Sequence, residues 1–198
     1  MLRPIKRFAF LHFPKGIKVK AMVGNFMGKL LRRTTAGPGA GTKVGPNGRI
    51  PDGERLYAIG DIHGRADLLQ ALHTKIAADC AATGLACTMV YLGDYIDRGL
   101  ESRQVIDLLL APADDGVERI FLLGNHEAML LDFLNNPRGG AAWLRNGGIE
   151  TLQSYGVTPP KTDSGPAGMD EAHQALGAHM PSRHLAFFQN LRLCHQFG

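Results

Sequence analysis

The sequence predicts an α/β fold built around a mainly parallel β-sheet. Three short apolar runs have the length of buried strands, and they alternate with segments whose apolar residues recur at the helical period. Each run ends at a short polar motif that begins with glycine, and parallel sheets bind ligands beyond the carboxyl ends of their strands. The length of 198 residues and the hydrophobic fraction of 44% are typical of one globular domain with a tail.

The first 54 residues are predicted to form a basic, flexible extension that ends in a linker rich in Gly and Pro. Residues 1–55 contain 12 of the 22 Lys and Arg residues but only two acids, whereas residues 56–198 contain 10 basic residues and 16 acids. The net charge of +4 therefore reflects the tail and is weak evidence for nucleic-acid binding. Residues 22–33 could form a short amphipathic helix for a membrane surface or an acidic partner, but a solvated extension is favoured.

From Arg55 onward, strands and helices are predicted in alternation. Apolar runs predict strands over residues 56–59, 88–92 and 119–123. Helical spacing predicts helices over residues 66–82, 102–110 and 127–134, with Ser102 as an N-cap. Further along, weaker patterns predict two helical pieces within 139–155 broken at Gly147-Gly148, a loop over 159–168, helices over 170–178 and 182–190, and the start of a strand over 191–195.

Cysteine usage and hydropathy exclude several classes of protein. Cys80, Cys87 and Cys194 are odd in number and lack paired ligand spacing, so we expect neither a disulfide framework nor a zinc ribbon. Free thiols and a cytoplasmic location are the simpler prediction. The sequence has no apolar run long enough for a transmembrane helix, and a secretory signal is not expected.

The three strand-end motifs supply oxygen and imidazole groups that suit divalent metal ions. They are Gly60-Asp61-Ile62-His63-Gly64, Gly93-Asp94-Tyr95-Ile96-Asp97-Arg98-Gly99 and Gly124-Asn125-His126-Glu127.

Asp61 and His63 alternate along an extended backbone, so they should point to the same side and share one metal ion. Asp94 could bridge two ions, and Asn125 offers a carbonyl oxygen to the second. Two divalent ions roughly 3.5–4 Å apart can hold a phosphate and activate a water for direct attack on phosphorus.

His126 follows Asn125 and should face the same cleft, where it could protonate a leaving alkoxide. Asp97 could orient and charge His126 by accepting a hydrogen bond, and Arg98 offers a planar fork to phosphate oxygens. Each motif alone has a simpler explanation as a turn, a calcium loop or a helix cap. Their order, their separations of 28 and 24 residues and their shared position at strand ends argue against coincidence.

These motifs resemble those of the calcineurin-like metallophosphoesterases. The full second and third motifs narrow the resemblance to the phosphoprotein phosphatase (PPP) family, of the bacterial serine/threonine protein phosphatase type, over about residues 55–198. Residues 143–148 are also similar to a segment of bacterial members. For Trp143 in this segment, a packing role in the core is at least as favoured as contact with the substrate.

The resemblance implies a four-layer α/β/β/α sandwich with two metal ions at the sheet edge. In bacterial members the ions are usually manganese, with iron or zinc elsewhere in the family. It assigns metal binding to Asp61, His63, Asp94 and Asn125, and catalysis to His126, Asp97 and Arg98.

The chain departs from this family in its last third, where the family's later histidine-containing segments are absent. His195 is a disfavoured replacement ligand. We expect the next strand and its histidine to follow Gly198, so that residues 55–198 form the N-terminal portion of the domain. On that hypothesis the chain alone would be weakly active or inactive.

The leading interpretation is a metal-dependent phosphoester hydrolase that acts on a phosphorylated protein or a small phosphoester. The alternatives are a symmetrical dinucleoside (diadenosine) tetraphosphatase with the same metals, and an inactive truncated remnant. A nucleic-acid-binding module rests only on the basic tail, so no specific nucleic acid is expected as a partner. The sequence gives no prediction of the oligomeric state.

Overall fold

A parallel three-stranded sheet lies at the centre of the part of the chain that the structure describes. The computed structural model describes residues 8–9, 21–22, 50, 52–112, 116–161 and 164–197. Two short strands, β1 (Phe8–Ala9) and β2 (Ala21–Met22), pair antiparallel. The sheet follows, with strands β3 (Glu54–Ile59), β4 (Ala86–Tyr91) and β5 (Glu118–Phe121) in the order β3-β4-β5.

The sheet register brings the carboxyl ends of the three strands together. Ile59 pairs with Tyr91, and Tyr91 pairs with Phe121. Helix α1 (Ala66–Thr83) connects β3 to β4, and helix α2 (Ser102–Leu110) connects β4 to β5. The predicted alternation of strands and helices is therefore confirmed, and the three motifs begin at one edge of the sheet.

A fourth segment joins the sheet beside β5. Arg192 donates its backbone N–H to the Phe121 carbonyl at 3.0 Å and accepts from the Leu123 N–H at 2.8 Å. The strand predicted over residues 191–195 is thus a single parallel bridge between Leu122 and Arg192 in the described residues.

The chain after β5 is mostly helical. Its elements are α3 (Asn125–Asn135), a 3₁₀ turn (Pro137–Gly139), α4 (Ala141–Trp143), a π-helical turn (Leu144–Gly148), α5 (Ile149–Ser154), α6 (Gly165–His179) and α7 (Ser182–Gln189). The predicted break at Gly147 is confirmed, since its φ of 105° lies outside the helical region. The prediction of a loop over 159–168 is wrong for residues 165–168, which form the start of α6. Pro166 is compatible with this helix because it lies in the first turn, where a backbone N–H has no intrahelical partner.

The helices pack against one face of the sheet. Met89 and Tyr91 of β4 are buried in the main core with apolar side chains from the helices. Val90 points to the other face and forms a small cluster with Ile120 and Leu122. The described residues therefore show a three-stranded parallel sheet flanked by helices, which is consistent with part of a four-layer sandwich. The second sheet of that sandwich stays a prediction.

Cys80 and Cys87 form a disulfide, with Cα atoms 6.2 Å apart, so the prediction of free thiols is wrong for this pair. The cause is local: α1 ends at Gly84, whose left-handed φ of 63° turns the chain straight back into β4.

The amphipathic helix predicted over 22–33 lies outside the described residues except for Met22, which is in β2. In the described part of the chain, none of the helices has the length and hydropathy needed to cross a membrane.

Candidate metal centre

Backbone hydrogen bonds join the first motif loop to the second. The N–H groups of Ile62 and His63 both donate to the carbonyl of Asp94 at 3.0 Å, and the Gly64 N–H donates to Tyr95 at 2.9 Å. A Cβ atom at Gly64 would lie 2.4 Å from the Gly99 carbonyl oxygen. Only glycine allows this approach, which explains the glycines at the ends of the two motifs that meet here, Gly64 and Gly99.

The backbones of the second and third motif loops also approach each other closely. A Cβ atom at Gly93 would lie 2.3 Å from the backbone nitrogen of Gly124, and one at Gly124 would lie 2.2 Å from the nitrogen of Asp94. The three motifs, distant in sequence, therefore form one compact cleft at the carboxyl edge of the sheet. This convergence was predicted from their positions at strand ends.

Strained backbone is concentrated in this cleft. Among the described residues, non-glycine residues with positive φ are His63, Asp94, Asp97 and Arg98, at 46°, 57°, 74° and 69°. Such conformations cost free energy and persist only where surrounding contacts impose them, and they cluster at functional sites. All four are residues that the sequence analysis assigned to the site.

His63 and Asp94 come together with His126. One ligand atom from each of these three side chains lies within 4.8 Å of the other two. The carboxylate of Asp61, whose side chain is 68% exposed, lies 3.6 Å from His63 Nε2. Asn125, half-buried, is the first residue of α3 and so lies at the same edge. The individual ligand roles of these side chains stay predictions.

The donor set fits a divalent transition metal. His63 Nδ1–H donates to the Ile96 carbonyl at 3.0 Å, so the neutral imidazole keeps its lone pair on Nε2. That nitrogen faces the acidic side chains of the cleft, in the arrangement of a histidine ligand. A set of carboxylate oxygens and imidazole suits Mn²⁺, Zn²⁺ or Fe²⁺.

His126 and Asp97 form a buried pair. His126 Nδ1–H donates to Asp97 Oδ2 at 2.7 Å, and the side chains are 3% and 0% exposed. Burial alone lowers the pKa of His126, but the hydrogen bond and negative charge of Asp97 outweigh it and raise this pKa above its ordinary value. The predicted pairing is therefore present, with Nε2 of His126 as the atom that faces the cleft.

The guanidinium group of Arg98 contacts both His63 and His126. Its Nη1 is 3.1 Å from His63 Nε2, and its Nη2 is 3.3 Å from His126 Nε2. The imidazole rings stand edge to face, with centroids 4.7 Å apart. An exposed guanidinium at this position can turn toward a phosphate oxygen, which is a stronger acceptor than an imidazole nitrogen.

Glu127 has a role that was not predicted from the sequence. This side chain is fully buried and accepts from the backbone N–H groups of Asp94 and Tyr95 at 2.8 Å each, and from Gly124 at 3.1 Å. Burial and the nearby Asp94 raise the pKa of Glu127 to about 7, and its backbone donors oppose that shift. Glu127 ties the second loop to the third. The only sequence signal was an acid at the third position of a helix, where it can cap the N-terminus.

Two other candidates fall outside the cluster. Ser102 was predicted as an N-cap, but the structure places Glu101 at that position, and Ser102 accepts the backbone N–H of Asp97 at 3.1 Å. His195 contacts Arg192 and Phe197 and does not belong to the group of metal-capable side chains found in the described residues.

Comparison with known proteins extends these observations. Residues 54–172 match the family described as calcineurin-like phosphoesterase. The chain is 37% identical over 93 residues to serine/threonine-protein phosphatase 2 of Escherichia coli (strain K12), an alignment that covers 47% of this chain and 38% of that protein.

The alignments with two further relatives cover smaller shares of those proteins. A PP2A-like serine/threonine-protein phosphatase of Candida albicans is 35% identical over 96 residues, covering 43% of this chain and 22% of that protein. A zinc-dependent endopolyphosphatase of Saccharomyces cerevisiae is 30% identical over 98 residues, covering 49% of this chain and 28% of that protein. The chain thus matches less than two fifths of the length of each of these relatives.

Proposed function

The chain belongs to the calcineurin-like phosphoesterase family, and from that premise we propose that it is a metal-dependent phosphomonoesterase of the serine/threonine protein phosphatase type. The names of its relatives in Escherichia coli and Candida albicans support this choice of substrate. The proposed substrate is a phosphoserine or phosphothreonine side chain, or a small phosphoester. The proposed cofactor is a pair of divalent ions, with Mn²⁺ first and iron or zinc as alternatives.

One observation carries the proposal. The buried Asp97–His126 pair shares His126 with the metal-capable group of His63, Asp94 and His126, so a proton donor and metal-capable side chains share one cleft. A phosphomonoesterase needs both, because phosphorus must be made electrophilic and the departing alkoxide must be protonated.

The residues that would hold the ions are Asp61 and His63 for one, Asn125 for the other, and Asp94 between them. When bound, two such ions supply positive charge for the phosphate and an activated water for direct attack on phosphorus. The protein's part is to keep these side chains in place, and the close glycine contacts and Glu127 support that placement.

The remaining steps belong to the protein's own side chains. Arg98 would bind phosphate oxygens with its guanidinium, leaving His126 Nε2 free to carry a proton. His126 would then donate that proton to the leaving alkoxide, while Asp97 keeps the imidazole oriented through Nδ1. The reaction would form no covalent intermediate with the protein.

A substrate panel tests this proposal. The chain, supplied with Mn²⁺, would be assayed on a phosphoserine peptide, diadenosine tetraphosphate and inorganic polyphosphate. We expect hydrolysis of the phosphopeptide, read as released phosphate, at a kcat/KM at least about tenfold higher than hydrolysis of diadenosine tetraphosphate, read as ADP, or of polyphosphate, read as shortened chains. That ratio is a gap of about 1.4 kcal/mol. Preferred cleavage of diadenosine tetraphosphate or polyphosphate would refute the protein phosphatase assignment, and turnover of none would favour an inactive remnant.

A further inference from the structure

The three motifs do not account for a second group of buried side chains behind the site. We propose that Trp143 and Thr151 are positioning residues that hold the Asp97 carboxylate against His126. This inference rests on the proposed function, because it assigns these side chains to the proton donor of that reaction. It also gives a role to the segment 143–148, whose resemblance to bacterial members left core packing and substrate contact open.

The carboxylate of Asp97 is held by three donors from different parts of the chain. His126 Nδ1 lies 2.7 Å from Oδ2, and Thr151 Oγ1 lies 2.7 Å from Oδ1. The indole Nε1–H of Trp143 lies 2.9 Å from Oδ2 and 3.1 Å from Oδ1. A fully buried carboxylate is costly unless it is hydrogen-bonded, and these donors leave it a single orientation.

The same segment also holds the backbone of the second motif. The N–H of Asp97 donates to Thr151 Oγ1 at 3.0 Å, and the N–H of Arg98 donates to the Gly147 carbonyl at 3.1 Å. Asp97 and Arg98 both have left-handed φ values, 74° and 69°. Contacts from residues 143–151 thus help to impose the strained conformation that points both side chains into the cleft.

Two glycines explain how the segment fits. A Cβ atom at Gly147 would lie 2.6 Å from the nitrogen of Arg98, and one at Gly148 would lie 2.5 Å from the indole ring of Trp143. The glycine pair therefore lets the chain pass between the second motif and the indole, so that Nε1 reaches Asp97.

Packing alone is the competing explanation for Trp143. Its ring is 1% exposed and lies 4.9 Å, centroid to centroid, from that of Phe133. A packing role predicts loss of stability when Trp143 is replaced, with equal effects on all substrates. A positioning role predicts a loss that depends on the leaving group, because only a poor leaving group needs the proton from His126.

The test compares O-phosphoserine, an alkyl phosphate, with para-nitrophenyl phosphate, whose leaving group departs without protonation. The Trp143→Phe variant keeps the aromatic packing and removes the indole N–H, and Thr151→Val removes the hydroxyl. Since general-acid catalysis contributes about 10²–10⁴-fold, we expect kcat on phosphoserine to fall at least about tenfold and kcat on the nitrophenyl ester less than about threefold. KM should change little for either substrate.

Two matched variants separate positioning from packing. Thr151→Ser keeps the hydroxyl and should retain most of the phosphoserine activity that Thr151→Val loses. Phe133→Leu loosens the packing around Trp143 without touching Asp97, and it should preserve the ratio of the two kcat values. Equal losses on both substrates in Trp143→Phe, or no recovery in Thr151→Ser, would overturn the proposal.

A spectroscopic measurement keeps this inference distinct from the proposed function. Trp143 is the only tryptophan, so a ¹⁵N-labelled chain gives one indole N–H signal. We expect Asp97→Asn to move this signal upfield, since the charged acceptor is lost, and Asp170→Asn to leave it unchanged. An unmoved signal would overturn the contact itself. A wild-type chain without turnover but with the expected shift would instead refute only the proposed function.

Discussion

The carboxylate of Glu127 accepts the backbone N–H of Asp94 at 2.8 Å, although 33 residues separate them in sequence. The same carboxylate accepts three further N–H groups in the second and third motifs, those of Tyr95, Ile96 and Gly124. The loop that carries Asp94 therefore takes its shape from a side chain of α3. The placement of the candidate ligands therefore rests on this contact as well as on the close approach of the glycines.

We expect Glu127→Ala to destabilise the fold by about 2–4 kcal/mol, because it leaves several buried backbone donors without an acceptor. Loss of loop geometry should also weaken metal binding. Chemical denaturation, read as the free energy of unfolding, measures the first effect. The exposed Glu171 of α6 offers a control, and Glu171→Gln should change stability by less than about 0.5 kcal/mol. Equal stability of the two variants would contradict the role of Glu127.

Asp97→Asn should slow turnover while leaving metal binding intact. Asn tolerates the left-handed φ of 74°, so the backbone should be preserved. Loss of the charge that orients His126 should reduce kcat on phosphoserine by about 10²-fold or more. Steady-state kinetics and the stoichiometry of bound Mn²⁺ by calorimetry measure the two effects. An unchanged kcat would remove Asp97 from the mechanism.

Acidification should destabilise the protein through His184 in α7. This fully buried side chain hydrogen-bonds to Tyr155 and Asp107, with Arg183 beside Asp107. Burial lowers the pKa of His184 and outweighs Asp107, which raises it, while Arg183 and Arg103 lower it further.

The folded protein therefore binds fewer protons at His184 than the unfolded chain. The contribution of neutral His184 to the free energy of unfolding is fully present above pH 6.5, the ordinary pKa of histidine. This contribution is lost as the pH falls through the lowered pKa of the folded state. The slope from this group is at most about 1.4 kcal/mol per pH unit. Unfolding free energies between pH 7.5 and 5 should fall more steeply for the wild type than for His184→Asn. Parallel curves for the two proteins would contradict this assignment.

Local patterns predicted most of the fold. Helix α2 has the predicted bounds, and β4 begins only two residues earlier than predicted, because apolar spacing reports directly on burial. The position of the motifs at strand ends also predicted that His63 and Asp94 would meet. Their assigned ligand roles, and those of Asp61 and Asn125, stay predictions, as do the domain limits and the cytoplasmic location.

Local sequence patterns do not predict contacts between residues that are distant in sequence. Trp143 and Thr151 reach Asp97 from 46 and 54 residues away, and nothing local to any of the three residues marks that contact. The disulfide between Cys80 and Cys87 depends on a left-handed turn at Gly84, which cysteine counting does not detect. These features require the three-dimensional packing of elements and not only their identity.

The most direct test of a metal-dependent site is hydrolysis of para-nitrophenyl phosphate by this chain with and without Mn²⁺, beside a folded Asp94→Ala variant. We expect weak turnover that requires the metal and disappears in the variant, because Asp94 belongs to the candidate ligand set with His63 and His126. Circular dichroism would verify that both proteins are folded. Metal-independent turnover, or turnover that survives in Asp94→Ala, would contradict a metal-dependent site in this cleft.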